Sequence, residues 1–308
     1  MKTMYKTSIP SKVIRDSKKG QRIMDLIGAA LNKVGLDEDQ GQWLIENPEF
    51  PTAIKATLRA YAIPHQYVDE EVVSNHGYLS GYCEATPIAE QMCIIRKFFP
   101  NLGDPDEAIA TQEHPANSEG YFAIPRWQLI ASTYSEAVEK VLDALKKQRE
   151  GLLAIHCKGE LGPDRFRETD RKRLAFERLA TEQKGRDTLI VAAQFGFYHR
   201  GRSVRRARVV MHGMVFGLGA FEIGILLLTH SVRLQHDDDL NIDCAGDEHS
   251  SSTEHQFDEA PCFSSSNDGW LGFGMVRVSR VSYDCGSASG FLPPAPTEQS
   301  EAGQSVEN

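Results

Sequence analysis

Apolar residues in the first hundred positions recur every three or four residues, which is the spacing of one helix face. Positions 23–34 follow this pattern and predict a first helix. Positions 51–64 predict a second helix between two prolines, and positions 86–100 predict a third, with Thr86 as the cap residue before a proline. The N-terminal region, residues 1–115, is therefore expected to be helical.

The middle of the chain alternates helix and strand signals. Thr133 and Glu136 have the spacing of a capping box, in which two side chains satisfy free amides at the start of a helix. A charged helix over about 168–184, an apolar strand over 188–194 and a helix over 218–234 follow. This order of elements predicts a mixed α/β centre.

Glycine, serine and short apolar runs dominate after about residue 236, which is typical of short strands joined by turns. The polar, acidic ending predicts a disordered tail over 294–308. Together these patterns predict an α+β fold. Residues 1–115 form a helical region, and residues 116–293 form an α+β domain whose end is rich in β-structure.

Composition places the chain among ordinary soluble globular proteins, with 41% hydrophobic and 25% charged residues. The formal net charge is −9, which argues against broad, non-specific binding to nucleic acid, because such binding depends on a basic surface. The apolar stretch 213–229 is interrupted by Glu222, so it predicts a buried core helix rather than a membrane span, and no membrane partner is expected.

The six cysteines contain no C-x-x-C pair and no dense framework. This usage predicts reduced thiols and a cytoplasmic location. Cys244, Cys262 and Cys285 lie close together in sequence, so a disulfide among them is left open.

The densest positive charge lies between two apolar runs, 189–193 and 209–211, both of which are expected to be strand-like. Arginine binds phosphate or carboxylate through a planar fork and stays charged at any relevant pH. The segment is therefore either an anion-binding site or a set of internal ion pairs with the chain's own acidic residues. The candidate anion-binding residues are His199, Arg200, Arg202, Arg205, Arg206 and Arg208.

An acidic stretch that follows has the alternating oxygen ligands of an EF-hand calcium loop. Its candidate ligands are Asp237, Asp239, Asn241, Asp243 and Glu248. Ile242 stands where the loop needs glycine, and no convincing helix follows. A solvated turn followed by a short strand is the better interpretation, so no cofactor is expected, with calcium as the alternative.

Two resemblances add to these patterns. The phrases AQFGFYHRGRSVRRAR, FGLGAFEIGILLLTH, DCAGDE and CGSASGFLP, with the helix at Thr133, resemble an uncharacterised family of predicted proteins from bacterial candidate phyla. The ending VSYDCGSASGF resembles the close of C-type-lectin-like variable domains, the targets of diversity-generating retroelements. Such domains display variable residues on a rigid scaffold. The second resemblance implies a recognition surface that includes Trp270, Arg277, Arg280, Tyr283 and Asp284.

The sequence contains no G-x-S-x-G elbow and no other complete catalytic motif, so enzyme activity is left open, with a leaning against it. The leading hypothesis is a soluble, non-enzymatic binding protein whose C-terminal surface recognises a protein or a small molecule. The alternative is a protein that binds nucleic acid or a nucleotide phosphate through the segment Arg200–Arg208, with or without catalysis.

Overall fold

The computed structural model describes residues 18–61, 66–157, 159, 161–251, 256–266 and 268–293. The predicted tail, residues 294–308, lies outside this set. The chain forms two compact units, residues 1–63 and residues 64–308. Residues 64–115, which the sequence grouped with the helical N-terminal region, belong to the second unit.

The first unit contains three helices, α1 (Lys18–Val34), α2 (Glu38–Glu46) and α3 (Phe50–Tyr61). The predictions of α1 and α3 are confirmed. Helix α2 was not predicted, although it carries a clear start signal: the Asp37 side chain accepts a hydrogen bond from the Gln40 amide at 2.8 Å.

The helices of the second unit confirm most of the predicted positions. They are α4 (Ile88–Phe98), α5 (Tyr134–Gln148), α6 (Asp170–Glu182), α7 (Val204–Val210) and α8 (Ala220–Thr229). Thr133 caps α5 as predicted, because its hydroxyl accepts a hydrogen bond from the Glu136 amide at 3.2 Å. The second half of the predicted capping box differs, since the Glu136 carboxylate accepts a hydrogen bond from the Ser132 amide at 3.1 Å and not from the Thr133 amide. Helix α8 is shorter than the predicted 218–234.

Two local predictions were wrong. The apolar run 209–211 was expected to be strand-like, but residues 209 and 210 end helix α7, because the Ser203 hydroxyl caps that helix at the Arg206 amide. Thr86 was expected to cap α4, but Pro87 is the cap residue and no side chain caps this helix.

Eleven strands are found in the described residues. They are β1 (Gly120–Pro125), β2 (Leu153–Ile155), β3 (Phe166–Glu168), β4 (Thr188–Gln194), β5 (Val215–Gly217), β6 (Asn241–Asp243), β7 (Asp247–His249), β8 (Glu259–Ser265), β9 (Leu271–Arg277), β10 (Cys285–Ser287) and β11 (Ser289–Phe291). Strand β4 has the predicted bounds. The α+β class and the β-rich C-terminal region are confirmed.

The strands form two sheets. The first is antiparallel, in the order β1-β4-β11-β5, and β4 is buried along its whole length. The second has seven strands, with β10-β6-β8-β7-β3 along one path and β9 joining β8 to β2. Strands β10 and β11 are separated by a single residue, Ala288, so the end of the chain ties the two sheets together.

The register of the second sheet excludes one of the disulfides left open among the late cysteines, the one between Cys262 and Cys285. Cys262 pairs with Asp243 of β6, and Cys285 pairs with Asn241 of the same strand. Strand β6 therefore lies between them, which places their Cα atoms about 10 Å apart at normal strand spacing, beyond disulfide reach. All six cysteines are free thiols.

The core forms where α8 lies against α5. Every residue of α8 is buried, which confirms the expectation of a core helix in this apolar stretch. The two helices come close at Gly224, where an added Cβ would lie 2.3 Å from Cγ1 of Val141. None of the described helices is long and apolar enough to cross a bilayer.

We expect Gly224→Ala to destabilise the second unit by about 1–3 kcal/mol, because the new methyl group forces α5 and α8 apart. Denaturant unfolding followed by circular dichroism measures this change. The control is a double-mutant cycle with Val141→Ala, which removes the colliding group, so the double variant should lose less stability than the sum of the two single losses. Strict additivity would contradict the close approach.

Candidate functional site

The arginine-rich segment begins where strand β4 ends. Gly196 turns the chain with a φ of 124°, and an added Cβ there would lie 2.6 Å from the Gly286 carbonyl oxygen. The Gln194 side chain then accepts hydrogen bonds from the amides of Gly196 at 2.5 Å and Tyr198 at 3.2 Å. This turn places Phe197 and Tyr198 at the surface and directs the following residues toward β10, where Arg200 forms a backbone bridge with Gly286.

Most of the segment's charge is already paired within the protein. Glu70 lies against Arg205, whose Nε is 2.8 Å from one carboxylate oxygen and 2.9 Å from the other. Glu71 pairs with Arg206 and, at 3.4 Å, with Arg202. These contacts correspond to the internal ion pairs that the sequence left open as an alternative.

The pairing has an electrostatic signature on both carboxylates. Hydrogen bonding from Arg205 holds the pKa of Glu70 below its ordinary value, against the opposing effect of burial. Burial raises the pKa of Glu71, but the hydrogen bond from Arg206 and the charge of Arg202 outweigh it, so the net pKa is lowered. Both carboxylates are therefore favoured in the ionised form that neutralises the arginines.

Arg208 and His199 are also turned inward. Arg208 donates hydrogen bonds to the carbonyl oxygens of Ala245, at 2.9 Å, and Asp247. His199 is buried, and burial with the nearby charge of Arg202 lowers its pKa to about 3, so the ring is neutral at physiological pH. The six predicted anion-binding residues therefore do not converge on one exposed point.

Arg200 differs from its neighbours. Its guanidinium carbon lies 3.9 Å from the centre of the Phe197 ring, a cation–π contact that orients the fork but leaves its charge in place. Across the described ranges, Arg200 forms no ion pair with a carboxylate. It is half-buried, and it is one of the residues that line a surface cleft.

A surface cleft of about 420 Å³ contains this arginine. The cleft is lined by Asn117, Ser118, Glu119, Phe197, Tyr198 and Arg200. We call it the aromatic–arginine cleft. Phe197 and Tyr198 are 45% and 46% exposed, which is high for large aromatic side chains and leaves ring surface available for contact.

Glu119 is the acidic member of the cleft, and its carboxyl group is held by donors. The Tyr78 hydroxyl donates a hydrogen bond to it at 2.5 Å, and the Phe195 amide donates another at 3.3 Å. Burial nevertheless raises the pKa of Glu119 above its ordinary value. These two donors point at the Glu119 carboxyl group and partly offset its negative charge within the cleft.

A second cluster of ionisable groups lies inside the protein, and the sequence analysis did not identify it. Lys172 is fully buried, with Nζ 2.6 Å from the Tyr134 hydroxyl and 2.9 Å from both Glu222 and Asp247. Glu168 is 3.2 Å away. The residues come from α5, α6, α8, β3 and β7. Because most of them are far apart in the sequence, no sequence motif predicts the cluster.

The Lys172 cluster also caps helix α8. Glu222 accepts a hydrogen bond from the Gly219 amide at 2.9 Å, and Asp247 accepts one from the Ala220 amide at 2.6 Å. Burial raises the pKa of Glu222 to about 7, against the opposing charge of Lys172. Because the cation is fully buried and already surrounded by acceptors, we assign this cluster to the fold rather than to ligand binding.

The predicted recognition residues do not form one patch. Trp270 precedes β9 and Arg277 ends it, so these two exposed side chains are about 20 Å apart along the strand. Arg280 and Tyr283 are also exposed. Asp284 is half-buried and accepts a hydrogen bond from Asn241 at 3.1 Å. The display role of this surface stays a prediction.

The five candidate calcium ligands are not brought together. Asn241 and Asp243 lie in β6, and Glu248 lies in β7, where it pairs with Arg167 at 2.9 Å. Asp239 is buried and accepts hydrogen bonds from the backbone amides of residues 79 and 80. These contacts replace the loop geometry that an EF-hand requires.

Asp237, the remaining candidate, belongs to a different group. In the part of the chain that the structure describes, the side chains that could share a metal ion are His236, Asp237 and Asp238, all exposed and with ligand atoms within 4.8 Å of one another. His236 accepts a hydrogen bond from the Asp238 amide at 3.1 Å. Exposed acidic groups of this kind are common without an ion, so the group carries no cofactor assignment.

Comparison of the chain with protein-family models, curated proteins and solved structures found no match. Both family resemblances noted in the sequence therefore stay predictions. The functional argument depends on the geometry of the chain's own residues.

Asp243 supplies a test of the electrostatics of the second sheet. Burial, opposed by the charge of Arg280, raises its pKa from 3.8 to about 7. The folded state thus binds this proton more tightly than the unfolded state. The contribution of the proton to the stability of the folded state is complete below pH 3.8 and is lost as the pH rises through about 7.

We therefore expect the thermal unfolding midpoint of the native protein to decrease as the pH is raised from about 4 to about 8. The midpoint of Asp243→Asn should decrease less over the same range, because this variant lacks the titrating group. Differential scanning calorimetry across this range measures both proteins. Asp143→Asn, on the exposed face of α5, is the matched control and should leave the pH dependence unchanged. Parallel curves for Asp243→Asn and the native protein would show that this carboxyl group does not titrate as described.

Proposed function

We propose that this protein binds a nucleotide-like anion, one that joins a phosphate group to a flat ring, in the aromatic–arginine cleft. The observation that carries the proposal is the guanidinium of Arg200, which pairs with no carboxylate of the described residues and lies 3.9 Å from the Phe197 ring centre in this cleft. The sequence analysis offered six candidate residues for phosphate binding, and this proposal assigns the phosphate to one of them, Arg200.

Charge supports this assignment because the other arginines are occupied. Arg202, Arg205 and Arg206 face Glu70 and Glu71, so an anion that used them would first have to displace a carboxylate. Arg200 requires no such exchange. Its planar fork, held by the ring beneath it, suits a phosphate oxygen pair.

The exposed rings of Phe197 and Tyr198 supply the second half of the binding site. A base that stacks on an aromatic side chain gains about 1–3 kcal/mol, with little dependence on which base it is. The volume of about 420 Å³ lies in the range of small-ligand pockets. The acidic character of the whole chain favours a free mononucleotide over a long polyanion, which would meet repulsion outside the cleft.

Isothermal titration calorimetry with ATP tests the proposal. Arg200→Gln should weaken ATP binding about tenfold to hundredfold, since a charge-assisted hydrogen bond contributes about 1.5–3 kcal/mol. Tyr198→Ala should weaken ATP and adenosine alike, because it removes a stacking surface and leaves the Phe197 ring that orients Arg200 in place. Inorganic phosphate serves as the ligand that lacks a ring.

Arg277→Gln is the matched control, because it removes an exposed arginine from the predicted recognition surface. It should leave ATP affinity unchanged, and a loss of binding there but not in Arg200→Gln would favour that surface. A single-stranded oligothymidylate distinguishes the two sources of nucleotide: much tighter binding than ATP would favour a polymer. No binding of ATP or of the oligonucleotide would overturn the proposal.

A further inference from the structure

The first unit contains amphipathic helices whose described side chains form no buried core. Between residues 21 and 54, none of the residues whose exposure the structure describes is buried. Large apolar side chains are instead open to solvent: Leu26 is 60% exposed, Val34 67% and Trp43 76%. Helices that leave such side chains uncovered gain little from burial within their own unit, so a further apolar partner would stabilise them.

Helix α1 separates its two faces clearly. Met24, Ile27, Leu31 and Val34 recur at helical spacing and form an apolar face. Arg22, Asp25, Ala29 and Lys33 lie on the opposite face. A helix with low mean hydropathy and one strongly apolar side is the kind that lies in a membrane interface rather than crossing it.

The positive charge of α1 favours an anionic partner for its apolar face. Lys18, Lys19, Arg22 and Lys33 are its basic residues, against a single acidic residue, Asp25, in a chain whose net charge is −9. Two copies of α1 placed face to face would bring like charges together. An anionic bilayer offers phosphate charge to the basic residues and an acyl boundary to the apolar face at the same time.

We infer that helix α1 is an interfacial helix that binds the surface of anionic lipid membranes. The apolar face enters the boundary between headgroups and acyl chains, and the basic residues contact lipid phosphates. The sequence analysis expected no membrane partner because it considered a spanning segment, and this mode of binding needs none. The inference is independent of the proposed nucleotide site, which lies in the second unit.

Vesicle flotation of the full chain tests this inference, with vesicles of phosphatidylcholine alone or of phosphatidylcholine mixed with phosphatidylserine. The native chain should float with the mixed vesicles, bind pure phosphatidylcholine much more weakly and detach as salt rises. Ile27→Gln with Leu31→Gln should reduce binding to mixed vesicles about tenfold or more, because two residues of the apolar face become polar.

Two single substitutions separate the contributions to binding. Arg22→Gln leaves the apolar face intact and should weaken binding to mixed vesicles about fivefold. Ala29→Gln introduces the same polar side chain on the opposite face of α1, so it is the control for the added glutamine and should bind normally. Circular dichroism in solution checks that each variant keeps the helix content of the native chain.

The inference is overturned if the native chain does not bind mixed vesicles, or if the variant with Ile27→Gln and Leu31→Gln binds as well as the native chain. Sedimentation velocity supplies the remaining outcome. Self-association of the native chain that Ile27→Gln with Leu31→Gln abolishes, without any lipid binding, would show that a second copy covers this face instead.

Discussion

The pairing of Glu70 and Glu71 with the arginine segment is the interaction on which the functional account depends. Two carboxylates neutralise Arg202, Arg205 and Arg206, and they hold the start of helix α7 against the loop that precedes α4. A segment with five arginines therefore presents one available charge at the cleft rather than a broad basic surface. The proposed binding of a small anion depends on this local pairing of charges and not on the net charge of the chain.

The Lys172 cluster shows the opposite use of charge. One ammonium group faces Glu168, Glu222 and Asp247 in a dry interior, and the amides at the start of α8 share two of these carboxylates. Removing one partner from such a buried set costs about 3–5 kcal/mol, because the remaining charges lose their compensation. The cluster joins helices of the core to the second sheet. It therefore stabilises the domain in which the segment after β4 lines the cleft.

Most elements of the fold could be predicted from residues that are close together in the sequence, whereas the candidate site could not. Strand β4 and the cap at Thr133 depend on residues close in sequence, and both were predicted correctly. Glu70 and Glu71 precede the arginines by more than a hundred residues, so no spacing connects them. The end of helix α7 was expected to be a strand because its residues are apolar, although Ser203 has the sequence signal of a helix cap. The aromatic pair beside Arg200 was visible in the phrase FYHR, but Asn117 and Glu119 meet it only in three dimensions.

Side-chain NMR of the arginine Nε–Hε groups during an ATP titration tests most directly whether Arg200 alone carries the available charge. The account predicts that the chemical shift of the Arg200 signal changes as the nucleotide binds. The chemical shifts of Arg205 and Arg206 should stay unchanged, because their ion pairs with the glutamates remain intact. A shift of Arg205 and Arg206, with Arg200 unmoved, would contradict the account, because it would mean that the ligand displaces the glutamates.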